Sequence, residues 1–308
     1  MNVRIIVIAG PTASGKSALA LGLAEALGGT IINADSMQIY RDLALVTARP
    51  GPAELARAPH RLYGVLDGAE LCSAARWAAL ARAAITDSAA AGSLPILCGG
   101  TGLYLRTLLH GIAAVPEIPD DFRRRARQRH AELGAAAFRA ELSRLDPVGA
   151  ARLEPGDTQR LIRAYEVVSA TGAPLGEWQR RQPIEPGGLA PVIFTLLPPR
   201  EALYASIDAR FAGMVEAGAL DEVRALIARR LDQNLPVMKA VGVPELSAYL
   251  AGNLALDAAI GAAQRASRRY AKRQFTWFRH QMPEASVITE KYSVDLPSRV
   301  CQIICKGA

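Results

Sequence analysis

The sequence predicts an α/β protein built as a P-loop, doubly wound parallel sheet with an inserted all-helical subdomain. Three observations carry that prediction. The run Arg4-Ile5-Ile6-Val7-Ile8-Ala9 passes straight into a glycine-rich segment, and helical spacing begins at Lys16. Short apolar runs alternate with amphipathic stretches in the first 110 residues and again after 190, the order that builds a parallel sheet covered on both faces. Between residues 120 and 188 only helical periodicity remains.

The elements follow in order. Residues 4–9 form a short apolar run rich in β-branched residues and without alternation, as in a strand buried on both faces. Residues 10–15 form a loop and 16–27 a helix. A second strand covers 30–34 and ends at Asp35. An amphipathic helix over 71–91 stops near Gly92. Residues 94–98 form a third strand, and Gly99-Gly100-Thr101-Gly102 turns it into a helix over 103–109. Val115-Pro116-Glu117-Ile118-Pro119 reads as a linker. Asp120 or Asp121 can cap a helix reaching about residue 145, and Asp157 a second one from 158 to about 170, closed by Gly172. A Pro/Gly-rich stretch over 183–191 ends this section. Residues 192–196 return as a strand, and helices follow over 200–230 and from 256 to about 280. The chain thus divides into a catalytic core, 1–114 with 190–308, and a helical insertion, 115–189.

Half of the 308 residues are hydrophobic and 21% are charged, which excludes a disordered chain. The net charge of +7 lies entirely in residues 121–308, because the first 120 residues are balanced. A neutral front and a basic back predict a compact core with a surface for a polyanion. Cys72, Cys98, Cys301 and Cys305 make no CxxC pair and have no metal-ligand spacing with the histidines. Free thiols in a reducing compartment are therefore expected. No apolar run has membrane-spanning length, and residues 3–10 enter a glycine loop rather than a signal-peptide cleavage site. A cytoplasmic protein without a membrane partner is expected.

Gly10-Pro11-Thr12-Ala13-Ser14-Gly15-Lys16-Ser17 fits G-x-x-x-x-G-K-[ST], between a strand and a helix. In this motif the glycines let backbone N–H groups curl around a phosphate. The helix N-terminus and Lys16 add positive charge, and the Ser17 hydroxyl can ligate Mg²⁺. The motif specifies a di- or triphosphate, not ATP. No Asn-Lys-x-Asp sequence is present, which argues against guanine recognition. The third strand ends in Gly99 rather than in the acid that usually helps to hold Mg²⁺ in P-loop enzymes. The acid instead follows the second strand, as Asp35, where strand carboxyl ends face the ligand crevice. Gly99-Gly100-Thr101-Gly102 is a second glycine-rich strand–helix turn at that edge, and Thr101 could donate to a phosphate or stabilise charge. Two basic runs stand out. One is Phe122-Arg123-Arg124-Arg125-Ala126-Arg127-Gln128-Arg129-His130. The other, residues 264–280, interleaves six Lys and Arg with Tyr270, Phe275, Trp277 and Phe278 and contains no acid. Such a helix suits an RNA backbone and stacked bases. Gln159-Arg160-Leu161-Ile162-Arg163 adds two arginines on one helical face.

Several segments together resemble the tRNA dimethylallyltransferase family, also called tRNA isopentenyltransferases. They are GPTASGKS (10–17), ADSMQIY (34–40), PHRL (59–62), GGTGLYLRTLLHG (99–111), DPVGAARLEPGDTQRLIRAYEV (146–167), the pair Arg210-Phe211 and AKRQFTWFR (271–279). The resemblance spans nearly the whole chain in order. It implies transfer of a dimethylallyl group from dimethylallyl diphosphate to N6 of the adenosine just 3′ of the anticodon, at position 37 of tRNA. The P-loop, Gly10 to Ser17, would then hold the prenyl diphosphate. Asp35 would take the N6 proton, while Lys16, Arg210, Thr101 and Ser17 with Mg²⁺ would stabilise the departing diphosphate. Asp35, Ser36, Met37 and Gln38 would hold the extruded adenine. Gln159, Arg160, Leu161, Ile162 and Arg163 would contact the tRNA anticodon stem-loop, with Thr101, Arg123, Lys239, Lys272 and Arg273 completing the RNA surface. A monomer is expected. The chain departs from the family pattern at Val46, where a glycine is usual, at Tyr63-Gly64, where an acid follows the His-x-Leu, and at Val243-Pro244, where an aromatic and a basic residue are usual.

Two other readings compete. A P-loop kinase of a small metabolite would use residues 120–188 as an arginine-rich lid. A non-catalytic RNA-binding ATPase module would give Asp35 no role.

Overall fold

The computed structural model describes residues 2–181 and 187–306. The chain divides into two compact units, residues 1–109 with 187–308 and residues 110–186.

The first unit is built on a six-stranded, wholly parallel sheet of order β3-β2-β4-β1-β5-β6. In chain order its elements are β1 (Val3–Ala9), α1 (Lys16–Leu27), β2 (Gly29–Asn33), the single turn α2 (Pro52–Leu55), β3 (His60–Arg61), α3 (Ala74–Ala90), β4 (Leu94–Gly99) and α4 (Gly102–His110). The second unit holds α5 (Asp120–Leu145), α6 (Pro147–Ala151), α7 (Thr158–Thr171) and α8 (Leu175–Arg180). The chain then returns to the first unit with β5 (Leu189–Leu196), α9 (Arg200–Glu216), α10 (Ala219–Ala228), a 3₁₀ turn over Pro236–Lys239, α11 (Val243–Leu250), α12 (Leu256–Gln281), β6 (Ser286–Ile288) and α13 (Leu296–Lys306).

The apolar run of residues 5–9 in β1 follows from its central place. Ile5, Val7 and Ala9 point into one core, with Trp77, Ala81 and Ile85 of α3. Ile6 and Ile8 point into the other, with Leu19 and Leu23 of α1 and Val300 and Ile304 of α13. Period-two alternation thus serves two buried faces over residues 5–9, while Arg4 near the start of the strand donates to the Ile304 carbonyl.

Several boundaries differ from the sequence reading. β3 and β6 are two and three residues long, too short to show a period, and pairing with β2 and β5 alone defines them. β5 starts at Leu189, three residues earlier than the apolar run, and passes through Pro191. There β5 pairs with β1, and β6 joins it only from Phe194, so the proline lies on an open edge. The helical stretch over 200–230 is two helices, separated at Gly218, whose φ of 105° is left-handed. α5 is interrupted at Gly134, with φ 71° and ψ 169°. The proposed caps are corrected too. Pro119 precedes the first turn of α5, so Asp120 and Asp121 lie inside it, and the Asp157 side chain makes no cap bond to α7. Asp157 instead lies 3.9 Å from the Arg160 guanidinium. Of the Pro/Gly-rich stretch over 183–191, residues 183–186 lie outside the described residues. Among the described residues no helix is long and apolar enough to cross a membrane.

Candidate active site at the carboxyl edge of the sheet

Three loops leave the carboxyl ends of the neighbouring strands β1, β4 and β2, and together they form the site. The first is the glycine loop after β1. Gly10 has φ 150° and Gly15 has φ 91°. A Cβ at Gly10 would lie 2.6 Å from the Leu196 carbonyl oxygen, and one at Gly15 would lie 2.4 Å from Cβ of Tyr292. Both glycines are therefore required by conformation and by space. The Ser14 Oγ is buried and finds no hydrogen-bond partner among the described residues. Lys16 opens α1 and donates to the Pro11 carbonyl over 3.2 Å. Burial pushes the Lys16 ammonium below the usual lysine pKa, against the opposing pull of the Cys98 thiol and the Asp35 carboxylate. Ser17 is exposed. Burial pushes the pKa of the neighbouring Cys98 thiol up to about 11, against the opposing pull of the Lys16 charge.

The second loop follows β2, and Asn33 at its root fixes it. The fully buried Asn33 amide donates to the carbonyls of Asp35 and Leu62, each over 3.0 Å, and its Oδ1 accepts the Asp35 N–H at 2.8 Å. Asp35 Oδ1 in turn accepts the Met37 N–H at 2.9 Å. No helix starts at Asp35; its carboxylate closes a turn. Gln38 donates through Nε2 to the Thr47 and Ala48 carbonyls at 2.8 and 2.9 Å. That leaves its Oε1 as an acceptor for a ligand. The far end of this loop is held by Glu222 of α10, whose carboxylate accepts the N–H groups of Ala44, Leu45 and Val46 at 2.5, 2.9 and 2.8 Å.

The third loop, after β4, lies between the other two because β4 pairs with both β1 and β2. Each of its glycines admits a neighbour. A Cβ on Gly99 would lie 2.1 Å from the Ala34 backbone, one on Gly100 2.3 Å from Nε2 of Gln274, and one on Gly102 2.2 Å from the Trp277 ring. Thr101 Oγ1 accepts the Ser36 N–H at 2.9 Å and lies 3.2 Å from the Ser36 hydroxyl. Thr101 is thereby tied to the Asp35 side of the site.

Two helices close the arrangement. From α9, the half-buried Arg210 reaches the Thr12 hydroxyl. Its pKa is lowered by loss of water and supported by the Asp35 charge. From α12, Gln274 accepts the Thr12 N–H and donates to the Gly100 carbonyl, both at 2.9 Å. Lys16 and Arg210, both in contact with the glycine loop, each feel the charge of the Asp35 carboxylate, so two cations and a single carboxylate share one electrostatic neighbourhood. Such a site can hold a diphosphate and accept a proton from a group brought to Asp35.

Residues 38–281 match the family model described as IPP transferase. The chain belongs to the IPP transferase family. A tRNA dimethylallyltransferase from Rhodospirillum centenum is 55% identical over 282 residues, covering 91% of this chain and 90% of that protein. The full-length tRNA isopentenylpyrophosphate transferase of Bacillus halodurans is 33% identical, with a TM-score of 0.71 over 99% of this chain and 96% of the other. A eukaryotic dimethylallyltransferase acting on tRNA is 27% identical, with a TM-score of 0.81 over 99% of this chain and 79% of the other.

The remaining residues singled out in the sequence fall into two groups. In the first unit, Lys272 and Arg273 are exposed on α12, on the side opposite the buried Gln274 and Phe278. Lys239 is exposed on its 3₁₀ turn, with Nζ 3.4 Å from Asn234 Oδ1. In the second unit, Gln159 and Arg160 are exposed on the first turn of α7, and Arg163 lies 3.4 Å from Glu166. Arg123 lies 3.6 Å from Asp120. Leu161 is corrected as an RNA-contacting side chain: it is fully buried in the core of its unit with Phe138 and Leu142, where it holds the helix. Ile162 packs against the same core.

Asn33, Glu222 and Gln274 were missed by the sequence reading. Asn33 had one local signal, an amide directly after the apolar pair Ile31-Ile32. Glu222 and Gln274 act on residues far away in the chain and had none. Among the described residues no cluster of His, Cys, Asp and Glu could hold a metal by itself.

Proposed function

We propose that this chain transfers the dimethylallyl group of dimethylallyl diphosphate to N6 of the adenosine at position 37 of tRNA, releasing diphosphate and forming N6-isopentenyladenosine. The observation that carries this reading is the partition of charge in the cleft. Lys16 and Arg210 meet the glycine cradle on one side, Asp35 faces them from the end of β2, and β4 ends in Gly99 without an acid. A diphosphate fits the first side and a proton donor the second.

The N6 nitrogen attacks the allylic carbon, the carbon–oxygen bond to the diphosphate breaks, and the N6 proton passes to Asp35. Adenine N6 is a weak nucleophile whose proton becomes acidic only as the new bond forms, so a positioned carboxylate suits the timing. Lys16, Arg210 and the backbone N–H groups of residues 10–17 stabilise the leaving diphosphate. Thr101 aligns the Ser36 backbone beside Asp35, and Ser36, Met37 and Gln38 hold the extruded base. Mg²⁺ fits the exposed Ser17 hydroxyl only together with diphosphate oxygens and water, since no protein ligand cluster is present among the described residues. When bound, it neutralises charge on the diphosphate. The tRNA anticodon stem-loop lies against Lys239, Lys272 and Arg273 and against Arg123, Gln159, Arg160 and Arg163. This reading places the enzyme with its tRNA in the cytoplasm.

The test is incubation with tRNA, dimethylallyl diphosphate and Mg²⁺, then nuclease digestion and mass analysis of nucleosides. Isopentenyl adenosine from wild-type protein, absent without the diphosphate, is the expected result. Unmodified adenosine together with phosphorylation of a small metabolite by ATP would replace this reading with a kinase.

A further inference from the structure

Gln274 touches two loops of the candidate site at once. Its Oε1 accepts the Thr12 N–H in the diphosphate cradle and its Nε2 donates to the Gly100 carbonyl, each over 2.9 Å. Thr101, the next residue, carries the Ser36 N–H, and Ser36 adjoins Asp35. The side chain is 6% exposed. Gly100 has no room for a Cβ because the Gln274 amide occupies that space, and Gly102 none because the Trp277 ring does. Gln274 and Trp277 are three residues apart on one face of α12, so this face is pressed into the turn. The exposed Lys272 and Arg273 lie on the same helix.

We infer that Gln274 is a positioning residue that sets the spacing between the diphosphate cradle and the loop carrying Asp35. The inference rests on the prenyl-transfer reading. An amide is the side chain for this task, since it both accepts and donates. A carboxylate at this position can serve Thr12 but not Gly100, and an aliphatic side chain serves neither. Once the clasp is lost, the cradle and the turn relax independently, and the allylic carbon no longer faces N6. Small misplacements of reacting atoms cost up to about 100-fold in rate. A misaligned allylic carbon is also open to water. The carbon–oxygen bond then breaks with water as nucleophile, giving dimethylallyl alcohol, diphosphate and a proton.

The experiment compares wild type with Gln274→Leu and Gln274→Glu at saturating tRNA and dimethylallyl diphosphate. It measures both diphosphate released and adenosine modified, with thermal unfolding as a control. Both variants should lose about 10–100-fold in kcat while KM for each substrate changes by no more than about threefold. Both should release diphosphate in excess of adenosine modified, whereas wild type releases equal amounts. Gln274→Glu keeps the size and the Thr12 bond, so it supplies the answer if the leucine variant does not fold. A kcat within about twofold of wild type would overturn the inference. So would a loss that follows only a lower folded fraction, with diphosphate and modified adenosine still equal. Absence of prenylated adenosine from wild type itself would count against the prenyl-transfer reading; normal wild-type turnover with unchanged variants counts against Gln274 alone.

Discussion

Asp35 is held from two directions, which makes it a sharp target. Asn33 binds its backbone N–H and carbonyl, and Oδ1 is engaged by Met37. Asp35→Asn preserves the oxygen that closes this turn and removes only proton acceptance. We expect kcat to fall by about 10²–10⁴-fold with tRNA and diphosphate affinities kept, read from single-turnover rates and direct binding. Near-normal turnover would reduce Asp35 to a turn former. Asn33→Ala strips partners from three backbone groups at a buried position, at about 1–3 kcal/mol for each group left unsatisfied. A denaturant titration should show a loss of at least about 1 kcal/mol. Lys16 supplies a pH signature. Burial lowers its pKa, so its charge is lost at lower pH than that of a free lysine. A bound diphosphate favours the charged form and raises that pKa again. As pH rises toward the lowered value, diphosphate binding should weaken and take up protons. Calorimetry in buffers of different ionisation enthalpy measures the uptake; release, or none at alkaline pH, contradicts the assignment.

At the scale of elements, the long periodic pieces were legible and the short or distant ones were not. β1, α1 and β4 follow from apolar runs between glycine turns, and the fold class with them. β3 and β6 escape because two and three residues carry no period and exist through their neighbours. The break at Gly134 escapes because a lone glycine inside a helical pattern reads as tolerated. Of the site, the cradle and Asp35 were visible as motifs. Gln274 was one letter in a basic, aromatic run, and its partner Thr12 is 262 positions away. The break is testable. Gly134 has open space around it, so only its backbone conformation opposes a side chain. Gly134→Ala should cost about 1–3 kcal/mol in the helical unit, measured by unfolding. For α7, Arg160→Ala with Arg163→Ala should flatten the salt dependence of tRNA binding. Each lost phosphate contact should lower the slope of log K against log salt by about 0.7–0.9. Dimethylallyl diphosphate binding should not change.

At the scale of the whole molecule, charge and cleft describe one division of labour. The +7 lies beyond residue 120, with the exposed lysines and arginines of α12 and of the helical unit. The cradle itself sits in the neutral front. In the proposed reading it grips two phosphates and makes no contact beyond them, so the far wall must choose between a prenyl tail and a nucleoside. The tail gains about 0.8 kcal/mol per buried CH₂, whereas ribose and adenine need polar partners. The most direct measurement presents one preparation with tRNA, dimethylallyl diphosphate and ATP together, and follows diphosphate, prenylated adenosine and inorganic phosphate over time. The account predicts diphosphate and prenylated adenosine in equal amounts and no steady release of phosphate from ATP. Steady ATP turnover stimulated by RNA, with no prenylated adenosine, would contradict it.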